Sequence, residues 1–292
     1  MDKTKSKKRE KERTLIEKAK STPSAFKSSY LFIIFFTLFL LSFATYKRNG
    51  IWKDDLQLWT DVVKKAPYNA RGHNDLGVAY YSQGRLKEAM QEYLITLKLN
   101  PNYPPAHNNL GNVYYKRERI DEAIQEYMTA ARLNPDYAEA HYNLGNLYSN
   151  QVNVDKAIDE YIAAIRLKSN YPLAHNNLAL AYYKQGRADE AIEHFLIAIK
   201  LDPNTYNYYM NLSFAYISLG AIQQAIEVGN KAISIAPDSP QPYYGLAIAY
   251  EKLGMNDDAI KNWEKFLKLS AKEDEWTHRA KERLRELKNT IQ

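Results

Sequence analysis

Residues 104–137, PPAHNNLGNVYYKRERIDEAIQEYMTAARLNPDY, run directly into residues 138–171, AEAHYNLGNLYSNQVNVDKAIDEYIAAIRLKSNY. Set one above the other, the two segments keep His at the fourth position, Leu at the seventh, Gly at the eighth, Tyr at the eleventh and twenty-fourth, and Ala at the twentieth. The same period of 34 residues extends over six units, 70–103, 104–137, 138–171, 172–205, 206–239 and 240–273. In the second unit Ala106, Leu110, Val113 and Tyr114 recur at helical spacing, and after a break so do Ile120, Ala123, Ile124, Tyr127, Ala130 and Leu133. Each unit is therefore two short amphipathic helices facing each other.

Small residues at the eighth position (Gly77, Gly111, Gly145, Ala179, Ser213, Ala247) and Ala at the twentieth let the two backbones approach, while rings at the eleventh and twenty-fourth fill the space beside them. Glycine at the fifteenth position in four units (Gly84, Gly186, Gly220, Gly254) suits a turn with positive φ. Proline ends the second helix at Pro101, Pro135, Pro203 and Pro237, with Ser169 standing in its place in the third unit. This pattern resembles the tetratricopeptide repeat. The resemblance implies an all-α solenoid, a right-handed superhelix of antiparallel helix pairs, whose concave surface is lined by the first helix of each unit and holds protein or peptide segments.

A stack of such units needs both ends closed. Ile51, Trp52, Leu56, Trp59 and Val63 read as a capping half-repeat over 50–69, and Trp276, Ala280, Leu284 and Leu287 as a capping helix over 274–292. The fifth unit looks weak: Gly229 stands where the others place Tyr93, Tyr127, Tyr161, Phe195 and Trp263, so its second helix should exchange amide hydrogens fast.

Composition divides the chain unevenly. Residues 1–27 carry ten Lys or Arg against four acids, which accounts for the whole net charge of +6. The remainder has no basic surplus from which to build a phosphate-binding surface, and nucleic acid is not an expected partner. Residues 31–44, LFIIFFTLFLLSFA, hold eleven Leu, Ile or Phe, enough to predict a transmembrane signal-anchor helix over 28–46. A cleaved signal peptide is the alternative, with small residues at Ser42 and Ala44. The basic excess before the span predicts a single-pass protein with residues 1–27 cytoplasmic and the repeats extracytoplasmic, in the periplasm if the source is bacterial. Residues 46–71, YKRNGIWKDDLQLWTDVVKKAPYNAR, are similar to the junction between last span and repeat tail in membrane glycosyltransferases of the protein O-mannosylation type. That likeness implies, as an alternative to a scaffold, a non-catalytic accessory of a membrane glycosylation system.

Little in the chain points to catalysis. It has no cysteine, which removes disulfides, thiolate metal sites and a Cys nucleophile. The NLGN tetrads are repeat signature rather than a phosphate loop, and Asp54-Asp55 and Asp257-Asp258 sit at helix starts where the helix dipole favours acids. His73, His107, His141 and His175 recur one per unit, too far apart to share a zinc ion, and read as packing or surface residues. No cofactor, metal or small-molecule substrate is expected.

The candidate binding residues lie on the first helices. Asn109, Asn143, Asn177 and Asn211 occupy the sixth position of successive units, beginning with Asp75 in the first, and Tyr81, Tyr115 and Tyr183 flank the row. An amide carries both donor and acceptor, so a row of them can pair with the backbone of an extended peptide whatever its side chains. The positions match the asparagine ladder of the nucleocytoplasmic GlcNAc transferases, which implies the same use here. The Lys and Asn clamp of the chaperone-tail binders is not matched, since Asn108 stands where the lysine would be. Because asparagine is a poor residue for a helix interior, its removal should leave the melting temperature level or raise it.

Overall fold

The computed structural model describes residues 54–291, together with the single residue Lys11. Ile51 and Trp52 of the expected capping half-repeat, the rest of the basic segment and the apolar run lie outside the described residues. Within them are fourteen helices. A leading helix, α1 (Asp55–Lys65), precedes six pairs: α2 (Ala70–Ser82) with α3 (Leu86–Leu99), α4 (Pro104–Lys116) with α5 (Ile120–Leu133), α6 (Ala138–Asn150) with α7 (Val154–Leu167), α8 (Pro172–Lys184) with α9 (Ala188–Leu201), α10 (Tyr206–Ser218) with α11 (Ile222–Ile235), and α12 (Gln241–Lys252) with α13 (Asn256–Leu269). The last helix is α14 (Glu275–Ile291).

Each first helix closes the same way. In the first unit the N–H of Arg85 donates to the carbonyl of Tyr80 and that of Gly84 to Tyr81, so two carbonyls at the helix end are satisfied by a residue in the left-handed region. The tyrosine at the eleventh position plays this part in every unit. Glycine supplies the positive φ in four of the turns, but Glu118 (φ 59°) and Val152 (φ 60°) are forced into it in the second and third. For a β-branched residue that conformation is strained.

Small and large residues exchange places across each pair. A Cβ placed on Gly77, Gly111 or Gly145 would lie 2.5–2.7 Å from the ring of Tyr93, Tyr127 or Tyr161, so these glycines are required by close approach of the ring. The fifth unit inverts the arrangement, with Ser213 at the eighth position and Gly229 opposite. The expected gap is not there: Leu246, 1% exposed, reaches in from the next unit and would stand 2.8 Å from a Cβ at 229. The Ser213 hydroxyl donates to the carbonyl of Ala225 at 2.8 Å. Packing from the neighbouring unit thus removes the reason for which the fifth unit looked weak.

Every second helix packs on the first helix of the following unit, and successive first helices also touch, as α2 does α4, α6 does α8, α8 does α10 and α10 does α12. Drawing the first helices together makes them the inner row of the stack. At the far end Thr277, Ala280 and Leu287 of α14 are buried, but Trp276, expected among them, is 56% exposed. It stands at the edge of the cap, its ring meeting Tyr244 edge-on at 4.9 Å.

The single-pass topology is corrected. Among the described residues no helix is long and apolar enough to cross a membrane. The second helices of the units each carry charged residues beside a buried stripe, and the longest helix, α14, is rich in Lys, Arg and Glu.

Candidate peptide-binding face

The ladder residues are half-buried on the inner row, and each of the four asparagines donates to the unit before it. The amide nitrogen of Asn109 reaches Asn74 Oδ1 at 3.0 Å, that of Asn143 reaches Asn108 Oδ1 at 2.9 Å, and that of Asn211 reaches Asn176 Oδ1 at 2.9 Å. In the third unit the fifth position is Tyr142 rather than Asn, and Asn177 donates to its hydroxyl at 3.2 Å and to Asn146 Oδ1 at 2.8 Å. Asn143 makes the matching second contact to Asn112 at 3.4 Å.

These links run on into the core. The hydroxyls of Tyr127 and Tyr161 donate to Asn112 and Asn146 at 2.7 and 2.8 Å, so a core ring, a ninth-position amide and the next unit's ladder amide form one chain. Burial raises the pKa of both phenols, which stay neutral donors. Removing a ladder amide therefore leaves buried acceptors unpaired, and the expectation of an unchanged or raised melting temperature is reversed. The fifth- and ninth-position partners were missed from sequence because nothing in the 34-residue pattern says that an amide will reach 31 or 35 residues back.

Toward solvent the ladder keeps its acceptors. Asn177 Oδ1 is taken by Asn176, and Asp75 Oδ1 by Asn74. Among the described residues the Oδ1 atoms of Asn109, Asn143 and Asn211 have no hydrogen-bonding partner. The expected tyrosines are placed less uniformly: Tyr115 accepts from Asn150 at 2.8 Å, Tyr81 is half-buried with its pKa raised by burial, and Tyr183 packs against the central core.

The recurrent histidines turn out to be clasps between the two helices of a unit. His73, His107 and His141 each place Nδ1 at 2.6–2.7 Å from Glu92, Glu126 or Glu160. On the other side of the ring, His73 and His107 donate Nε2–H to the carbonyls of Pro67 and Pro101. Tyr209 and Tyr243 donate to Pro203 and Pro237 in the same way. The carboxylate partner raises the pKa of His107 and His141. In the fourth unit the glutamate is replaced by His194, 3.0 Å from His175, and burial lowers the pKa of both rings.

A family model described as the cilia and flagella-associated protein 70 C-terminal domain matches residues 39–282, most of the chain. The chain belongs to this family of tetratricopeptide-repeat domains. No curated protein matches it. Among solved structures it is similar to the APC/C hetero-tetramer Cut9–Hcn1, with 23% identity and a TM-score of 0.68, covering 80% of this chain and 46% of that one. It is also similar to YrrB, described as a TPR protein with an unusual peptide-binding site (23% identity, TM-score 0.52, covering 63% of this chain and 95% of that chain). MamA is a further likeness, at 26% identity and a TM-score of 0.53, over 57% of this chain and 91% of that one. The chain spans less than half the length of the first of these, and the likenesses establish the tetratricopeptide solenoid rather than any particular partner.

Proposed function

We propose that this protein is a non-catalytic scaffold that holds an extended segment of another protein along the inner row of first helices. The observation that carries the reading is the set of ladder amides whose nitrogens are committed to the preceding unit. Their geometry is thereby fixed, and the Oδ1 atoms of Asn109, Asn143 and Asn211 remain to accept N–H groups from a peptide backbone. An acceptor locked in place by its own donor bonds loses little freedom on binding. Tyr81, Tyr115 and Tyr183 beside it supply rings with few rotatable bonds for contact with the segment's side chains. The alternative drawn from residues 46–71, an accessory role in membrane glycosylation, has no support in the matches above, and the reading stands on the inner row alone.

The test is selection of binders from a phage-displayed library of linear peptides, followed by affinity measurement on the double variant Asn143→Ala, Asn211→Ala. Capture should weaken about ten-fold, roughly 1.4 kcal/mol, at a temperature where circular dichroism shows the variant still folded. Unchanged affinity would sink the ladder and move the binding role to the tyrosines.

A further inference from the structure

In the first half of the stack the residue that precedes a first helix is a tyrosine. Tyr103, Tyr137 and Tyr171 stand before α4, α6 and α8, while Thr205 and Ser239 hold the same thirty-fourth position in the fourth and fifth units. A residue at that place commonly caps the helix with a side-chain oxygen, yet none of the three tyrosines makes a capping bond. Each is half-buried with its hydroxyl reaching solvent, and among the described residues none of the three hydroxyls has a hydrogen-bonding partner.

The rings lie against the inner row. That of Tyr171 meets the ring of Tyr142, on α6, at 4.9 Å, and Lys168 sets its ammonium 4.7 Å from the Tyr171 ring centre while pairing with Glu139 of α6 at 3.1 Å. Burial raises the pKa of all three phenols, and inner-row carboxylates add to the rise, Asp75 at Tyr103 and Glu139 at Tyr137 and Tyr171. The hydroxyls are therefore neutral donors standing beside the ladder.

Two steps of the row carry both halves of a main-chain pairing site. In the second unit Asn109 Oδ1 is an unpaired acceptor and Tyr137 an unpaired donor, and in the third Asn143 and Tyr171 repeat the combination. The other units lack one half or both. In the first, the Asp75 carboxylate already accepts from Asn74; in the fourth, Asn177 Oδ1 is taken by Asn176 and the Thr205 hydroxyl donates to Asp202 at 2.6 Å. The fifth keeps the Asn211 oxygen but has Ser239 in place of the phenol. In the sixth the ladder stops at Gly245, beside an apolar cleft walled by Met210, Phe214, Tyr244 and Trp276.

We infer that the second and third units form the specific core of the groove, where Asn109 and Asn143 accept N–H groups of one extended segment and the Tyr137 and Tyr171 hydroxyls donate to its carbonyls. Touching helices stand about 8–10 Å apart and an extended chain advances ~3.3 Å per residue, so the two steps fall about three residues apart along the segment. Each step needs a free N–H, which excludes proline there and permits it between. The occupant is thus an extended peptide defined by where proline is absent rather than by its side chains. This inference rests on the inner-row reading above and adds to it the second row of groups and the spacing.

A linear peptide selected by phage display on the full chain is resynthesised with proline at each position in turn, and with single amide-to-ester replacements, which remove one N–H without adding bulk. Fluorescence anisotropy should show affinity falling about five-fold at two positions three residues apart, with little change between them. Tyr137→Phe and Tyr171→Phe should each weaken binding several-fold and leave the melting temperature level, because the hydroxyl removed has no bond to lose. Full affinity in the tyrosine double variant, while Asn143→Ala with Asn211→Ala still weakens binding, would overturn the phenol row and leave the ladder standing. Sensitive positions without the three-residue spacing would overturn the two-step register. Full affinity in the asparagine and tyrosine variants alike, or no linear peptide selected at all, would overturn the inner-row reading and this inference with it.

Discussion

Two stretches of one inner row solve the same joining problem with opposite chemistry. From the first unit to the fifth, successive first helices are stitched by amides: Asn109 to Asn74, Asn143 to Asn108, Asn177 to Asn146 and Asn211 to Asn176. Between the fifth and sixth, Gly245 and Phe214 meet by close packing, and the polar stitch is gone. The amide joints are directional and reject any residue that cannot pair with them. The ring joint is not directional, which permits an open apolar cleft beside it.

The largest expected effect tests the ring joint. Phe214 packs against the core shared by the fifth and sixth units and against that of the sixth unit and the last helix, so Phe214→Ala should destabilise the C-terminal end by about 3 kcal/mol. Native-state hydrogen exchange should place the loss in α10 to α14 and spare α2 to α5. A loss spread evenly along the chain would mean that the stack melts as one unit and that the two joints are not separable.

Asn143→Ala should cost about 2 kcal/mol, because it strands the buried Asn108 oxygen and removes one of two donors to Asn112. Adding Asn108→Ala should recover part of that cost in a double-mutant cycle. Strict additivity of the two changes would show that the amide link contributes nothing. A further check on the same half of the row is Val152→Gly, which relieves a left-handed valine and should stabilise by about 1 kcal/mol in urea unfolding.

Gly245→Ala should stabilise by about 0.5–1 kcal/mol, since the added Cβ makes only ordinary contact and alanine favours the helix. The same change at Gly111 should destabilise, because its Cβ would fall 2.7 Å from the Tyr127 ring. Equal signs in thermal unfolding would remove the distinction between the two joints.

The smallest effect is one of pH. His107 and His141 have pKa values raised by their glutamates, so their contribution is full below the ordinary histidine value and is lost as pH rises through the folded value. His175 and His194 have theirs lowered by burial. The unfolded chain takes up those protons first, and stability falls as pH drops below the ordinary value toward the folded one. Acidifying from pH 7 to pH 5 should speed hydrogen exchange in α8 and α9 relative to α4 to α7, and His194→Glu should abolish the difference.

The helix pairs, their turns and their core positions were legible in the sequence because all of them are set within one unit. Leu110, Tyr114 and Ala123 recur at helical spacing, which by itself marks the stripe each helix buries, although the partners of Leu110 include Ala89 and Tyr93 of the preceding unit. The same local rule let Gly111 and Tyr127 be read as a matched small and large pair. It failed for Gly229, whose space is filled by Leu246 from the following unit, and for Trp276, which reads as core by spacing but lies at the edge of the cap. The ladder asparagines were visible as a row. Their partners were not, since an amide can donate to several acceptors and only the rotation between successive units selects one.

What the sequence determined by itself, then, was the period, the identity of the two helices in each unit and the residues each buries, because those follow from side-chain spacing on a single helix. Tertiary structure alone decided that the ladder nitrogens face the preceding unit and leave their oxygens outward, and that an apolar cleft opens beside Tyr244. Both depend on the offset and tilt between neighbouring helix pairs. That geometry is set by packing summed over the whole interface and is written at no single position.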